Sequence, residues 1–158
     1  MPLKIRWGSK EYRGIWFMLL GVCGLFQVLY IFIAQYLLSI GNYLVVIFIP
    51  IGVTIALFIA SMIIFEALAE VERSTRLKTQ YKKKKENEKL ERFLEFPIVK
   101  PLLILFVIFS IVFFISYFIG IVWLDNSYSF ILAENLSTVV CLFVSNHYEK
   151  NIAKVDRL

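Results

Sequence analysis

"PLLILFVIFSIVFFISYFIGIVWL", residues 101–124, runs for twenty-four positions without a charged side chain. A helix needs about 20 mainly apolar residues to cross a hydrocarbon core of about 30 Å, so this stretch is long enough to span a bilayer. Working outward, three further runs have the same character. Residues 14–40 and 41–65 contain no charge, and within 126–148 only Glu134 interrupts. The whole chain of 158 residues is 59% hydrophobic and 18% charged, with a mean hydropathy of +0.75. A soluble domain is nearer half apolar and carries more charge. A helix apolar all round must be enclosed by protein or lipid, and four such helices cannot enclose one another. The expected fold is therefore an all-α integral membrane protein with four transmembrane helices arranged as two hairpins. A charged, helical cytoplasmic linker joins spans 2 and 3.

The segments expected on this reading are an amino-terminal cytoplasmic stretch, 1–13, and a first transmembrane hairpin, 14–66. The linker, 67–98, a second hairpin, 99–147, and a cytoplasmic tail, 148–158, complete it. Lys4, Arg6, Lys10 and Arg13 precede the first run as they would in a secretory signal. That run exceeds the 7–15 residues of a signal core and no small-residue cleavage site follows, so a permanent span is expected.

Charge placement sets the expected topology. Four of the 17 Lys and Arg precede span 1, ten lie between Glu66 and Pro101, and three follow Tyr148. The remaining loops, "SIGNY" at 39–43 and "LDNSYS" at 124–129, have none. Cytoplasmic loops carry the Lys/Arg excess, so both termini and the linker are expected on the cytoplasmic side, in the cell membrane if the source is prokaryotic. Trp7, Trp16, Tyr43 and Trp123 fall where amphipathic rings settle at the interfaces. Such short outer loops offer little surface to an extracellular ligand, which directs function to the bilayer and its inner face.

The linker is the one sizeable water-exposed segment. Residues 66–95 lack Gly and Pro and are rich in strong helix formers. Because spans 2 and 3 meet the same face, the chain must turn, and Asn87 within "KKKKENEK" is the expected break. Leu90, Phe93 and Leu94 then share an apolar face. This face suits packing on the first arm, the membrane surface or a partner protein. Lys82, Lys83, Lys84 and Lys85 suit anionic headgroups, at about 1 kcal/mol each near the surface. Between Glu66 and Pro101 six further acidic residues accompany the ten basic ones, which argues against nucleic acid as the partner. Pro97 ends the linker helix, and Pro101 fits the first turn of span 3.

Within the spans, Gly52, Ala56 and Ala60 recur every four residues, a small-residue stripe of the kind that lets membrane helices approach closely. Gly21 and Gly24 give span 1 a shorter version. Pro50 either kinks span 2 or marks its first turn. Span 3, rich in Phe with only Ser110, Ser116 and Tyr117 as polar groups, reads as the most lipid-exposed helix. The two halves resemble a duplicated two-span unit only weakly.

Glu134 is the exception to this apolar pattern. With span 4 running from about Tyr128 to His147, it sits about 9 Å from the outer end at 1.5 Å per residue. An acidic residue near mid-membrane costs about 2.5–3.5 kcal/mol, so it should face protein or water and have a partner. Thr138, Cys141 and Ser145 continue one polar stripe, flanked by Asn135 and Ser137. Gln27, and Gln35 nearer the outer end, are the expected partners in span 1. No span contains Lys or Arg, so a carboxyl here is expected in its neutral form unless water reaches it.

Other chemistry is sparse. Cys23 and Cys141 lie in mid-span and read as packing residues. One histidine, His147, and no cysteine cluster make a metal site or a cofactor unexpected. The "NLS" sequon at Asn135 falls inside a span, and no nucleotide-binding loop, nucleophile elbow or zincin pattern occurs. Glu70 and Glu72, beside Arg73 and Arg76, read as a solvated helix face.

The expected function is a non-catalytic accessory, assembly or scaffold subunit of a larger membrane complex. It would dock on other membrane subunits, or on copies of itself, through the span 4 and span 2 stripes. The alternative is a homo-oligomeric channel or proton/cation carrier using Glu134, with oligomerisation needed because four short spans enclose no pore. A second alternative is an immunity or regulatory protein binding a partner through the linker.

Overall fold

The structure, a computed structural model, describes residues 13–79 and 99–153; side chains are described for 13–71 and 99–151. The linker turn, the lysines 82–85, the apolar face at Leu90, Phe93 and Leu94, and Trp7 lie outside the described residues. All regular elements among the described residues are helical: α1 (Arg13–Phe32), α2 (Tyr43–Thr79), α3 (Val99–Gly120) and α4 (Asn126–Tyr148). Each is long and apolar enough to cross a membrane.

The ends of the helices are shaped by local chemistry. At its carboxyl end α1 widens into a π-helical turn, Ile33–Leu37, where the Leu38 amide donates to the Ile33 carbonyl at 3.0 Å. Ser39 then adopts a left-handed backbone, φ 51°, which reverses the chain into α2. Pro50 lies within α2, eight residues after Tyr43, so it does not mark the first turn. It cannot donate to the Val46 carbonyl. Its own carbonyl accepts from Thr54 Oγ1 at 2.7 Å. α2 extends to Thr79, beyond what a bilayer requires, because the residues after Phe65 keep high helix propensity as they become charged.

The helices pack as a ring in the order α1, α2, α4, α3. α3 and α4 make the most extensive pair, followed by α2 with α4 and α1 with α2; α2 and α3 touch more lightly across the middle. The fourth side of the ring is closed by aromatic side chains. Phe26 of α1 stacks flat on Phe106 of α3, with centroids 3.9 Å apart. Tyr30 meets Phe109 and Phe113 edge-on at 5.1 and 4.7 Å. Phe113 passes the contact to Phe130 of α4 at 5.9 Å. Lipid gives no hydrophobic reward for helix contact, so dispersion and ring geometry carry this packing. The Phe residues of α3 therefore do not make it the most lipid-exposed helix. Phe109 and Phe113 are fully buried, and α1 is the least enclosed of the four. An apolar ring serves lipid or core equally well, and neighbours decide which.

The two short loops lie at one end of the ring, where Asn126 Nδ2 donates to the Leu38 carbonyl at 3.4 Å. Close by, α3 and α4 approach so tightly that a β-carbon on Gly120 would stand 3.2 Å from Ser129 Cβ. At the opposite end a second π-helical turn, Glu149–Ala153, follows α4 and packs on α2.

A polar centre inside the bundle

The inward face of α4 is polar along its length. Ser129, Glu134, Ser137, Thr138, Cys141 and Ser145 are all buried, and they turn toward the protein's own helices. The hydroxyls of Ser137, Thr138 and Ser145 are satisfied within the helix, and that of Ser129 donates to the Leu124 carbonyl just before it at 3.3 Å. Ser137 donates to the Ala133 carbonyl at 2.6 Å, Thr138 to Glu134 at 2.7 Å, and Ser145 to Cys141 at 2.7 Å. These short side chains bend back onto the preceding turn, which lets a helix carry them among apolar neighbours. Cys141 Sγ reaches the Leu105 carbonyl of α3 at 3.7 Å. Asn135 departs from the stripe. It points outward and donates from Nδ2 to the Ile131 carbonyl at 2.8 Å, one turn back on its own helix.

α1 contributes the facing residues. Leu19, Cys23, Gln27, Tyr30 and Ala34 are its buried positions, spaced three and four apart. Cys23 meets the Ser61 hydroxyl of α2. The Tyr30 hydroxyl donates to Ser110 Oγ on α3 at 2.9 Å, and Ser110 Oγ donates in turn to the Phe106 carbonyl at 2.7 Å. Glu134 and Cys141 lie within electrostatic reach of the Tyr30 phenol. Tyr30 thus ties the centre together. Its polar role was hidden in sequence among many aromatic residues; its position three residues after Gln27, on the same helical face, was the available signal.

Among the described residues, four buried side-chain polar atoms have no hydrogen-bond partner. They are Gln27 Nε2 and Oε1, and Glu134 Oε1 and Oε2. Gln27 is 2% exposed and Glu134 0%. Buried polar groups are almost always paired, because leaving one unpaired costs about 1–3 kcal/mol and more when charged. Both residues sit at a similar depth. Glu134 is eight residues into α4 from the loop end, about 12 Å at 1.5 Å per residue. Gln27 is ten residues from Leu37, the end of the π-helical turn, or about 15 Å on the same measure. The two residues stand on different helices, and neither is a hydrogen-bond partner of the other.

The other sequence-singled positions are dispersed. Of the stripe on α2, Ala60 is fully buried and Ala56 half-buried, while Gly52 faces outward with nothing within 4 Å of a β-carbon added there. Gln35 falls in the π-helical turn and is half-buried. A cavity of about 310 Å³ opens between α1 and α2, lined by Gly21, Gly24, Gln27, Val28, Pro50 and Thr54 among others. Among the described residues no group of three or more His, Cys, Asp or Glu is placed to hold a metal ion. No protein-family model, curated protein or solved structure matches the chain.

Proposed function

We propose that this four-helix membrane protein is a non-catalytic accessory or assembly subunit that docks on other membrane subunits through contacts within the bilayer. The observation that carries the reading is the open seam between α1 and α2. Gly21 and Gly24 have no atom within 4 Å of an added β-carbon, and the seam widens to a cavity of about 310 Å³. Membrane helices associate where small residues let backbones approach, and a bulky side chain from a neighbouring helix would fill such a seam. Gly52 extends small, exposed surface on the same helix pair. The polar stripe of α4 is occupied by the protein's own packing, which favours the α1–α2 side as the docking face. Both termini and the linker lie on the cytoplasmic side in this proposal, supported by the absence of Lys and Arg from residues 38–42 and 121–125. Anionic headgroups there would meet the basic segments.

The test is purification in mild detergent followed by mass measurement. Co-purifying chains, lost when Gly21 and Gly24 are both replaced by Leu, support docking. A bare monomer that retains its fold in the native membrane extract overturns it.

A second reading is favoured by the unpaired atoms of Gln27 and Glu134. In it the protein carries a proton or cation, with Glu134 as the binding group. Reconstituted liposomes test this. Flux abolished by Glu134→Gln supports a carrier, and no flux in the wild-type protein excludes one.

A further inference from the structure

We infer that the groove between α1 and α2 receives the outer face of α4 from a second copy of this chain, with Gln27 of one copy pairing to Asn135 of the next. The inference rests on the docking reading above and names its partner.

Each of the two residues is left unexplained by a single copy. Gln27 is 2% exposed, and its amide lacks a partner for both its donor and its acceptor. It stands where two faces of α1 meet. Cys23 and Tyr30 on one side are buried in the bundle, while Gly24, Val28 and Ile31 on the other line the cavity with it. No hydrogen bond holds the amide, so rotation about its outer torsions is free to turn it toward that opening. Asn135 has the converse problem. It lies within the α4 span with its side chain outside the bundle, where a bilayer would surround it with lipid. Polar side chains inside a membrane face protein or water, and amides there hydrogen-bond across helices.

Depth brings the two together. The Asn126 side chain donates to the Leu38 carbonyl, so the loop ends of α1 and α4 stand at one level. Asn135 is nine residues into α4 from Asn126, about 14 Å at 1.5 Å per residue. Gln27 is ten residues from Leu37, about 15 Å on the same measure. Copies inserted in the same orientation therefore present both amides at one depth.

The chemistry and the surfaces match. Gln27 Nε2 donates to Asn135 Oδ1 of the neighbouring copy. Asn135 Nδ2 spends one hydrogen on the Ile131 carbonyl and gives its other to Gln27 Oε1. The groove is lined by no charged side chain, and α4 presents Leu132, Leu136, Val139 and Phe143 around Asn135, all exposed. Gly21 and Gly24 leave room for the incoming helix. In the ring order α1, α2, α4, α3 the α4 helix does not border the groove. The contact is therefore head-to-tail: each copy offers one groove and one α4, and the assembly closes as a ring or extends as a row.

The experiment mixes full-length chains, labelled at the carboxyl terminus with a donor or an acceptor dye, in liposomes, and follows energy transfer as lipid dilutes them. Wild-type chains should associate, and Gln27→Met or Asn135→Leu alone should weaken association about 5- to 30-fold. A mixture of the two variants keeps one intact contact, from Asn135 of the first to Gln27 of the second. It should recover association, as dimers only. Gly24→Leu fills the groove and should abolish association with both amides in place. Unfolding in dilute micelles, where copies separate, should keep the wild-type midpoint, which separates lost association from lost fold. Asn135→Leu, on the exposed surface, carries the test if the buried substitution fails to fold. Wild-type chains that never associate overturn the inference and leave the groove to a different partner, which the co-purification test above detects. Association that neither amide variant weakens, or a variant mixture no stronger than its components, overturns the pairing.

Discussion

Adjacent residues Glu134 and Asn135 have opposite fates, and the difference is only 100° around a helix. Glu134 turns into the bundle and Asn135 turns to the outside, where its amide folds back on the Ile131 carbonyl. Asn135→Leu should therefore leave unfolding in mixed micelles within about 0.5 kcal/mol of wild type. A larger loss would mean that Asn135 packs against protein. Tyr30 is the contrasting case. Tyr30→Phe keeps the ring contacts but deletes the bond to Ser110, and hydrogen bonds between membrane helices average about 0.6 kcal/mol. Ser110→Ala should cost a similar amount. The double variant should cost less than the sum, because the two groups share one bond. Additive losses measured by the same titration would show that the bond does not form.

Glycines separate buried from exposed seams at the level of helix pairs. Gly120 lets α3 and α4 meet near the loop end, and the atoms closest to an added β-carbon include the Ser129 backbone. Gly120→Leu must push the helices apart and should cost about 1–3 kcal/mol in detergent unfolding. Gly52→Leu meets open space and should be neutral or slightly stabilising in the isolated protein. Equal losses at both positions would contradict this pairing of helices. The turn between α1 and α2 offers a gain. Ser39 sits at φ 51°, a left-handed backbone costing about 1 kcal/mol for a residue with a β-carbon. Ser39→Gly should raise the unfolding midpoint slightly, partly offset by the entropy of the unfolded chain.

Among the described residues, one end of the ring carries the two short loops, which hold Asp125 but no Lys or Arg, while Arg13 and Lys100 lie in the first turns of α1 and α3 and Lys150 follows α4. Cys23 and Cys141 are buried, so the native background should be silent to thiol reagents. Single cysteines at Gly41 and Asp125 should react with a membrane-impermeant maleimide from the same side of sealed vesicles. A cysteine at Lys100, in the first turn of α3, should react from the other. Labelling of Gly41 and Asp125 positions from opposite sides would break the topology on which both functional readings stand. The outer surface at the loop end carries Tyr36, Tyr43, Trp123 and Tyr128, all well exposed. Rings with one polar edge prefer the headgroup region, so these residues should hold that end at the interface.

The number of membrane-length helices and the distribution of charge were legible in the amino-acid order alone. Length and hydropathy act locally, and a run such as 101–124 has no other stable home. Glu134 was legible as an anomaly for the same reason, since a carboxyl in an apolar run is costly whatever surrounds it. Which face each helix turns inward was decided by tertiary contact. α3 is apolar on every side, so periodicity gives no direction, and only the fit of Phe109 and Phe113 against Tyr30 and Phe130 orients it. The stripe at Gly52, Ala56 and Ala60 runs from the outside to the core because a four-residue spacing drifts around a helix of 3.6 residues per turn. That Tyr30 of α1 stands within electrostatic reach of Glu134 on α4 arises from tertiary packing, since residues more than a hundred positions apart share no local signal.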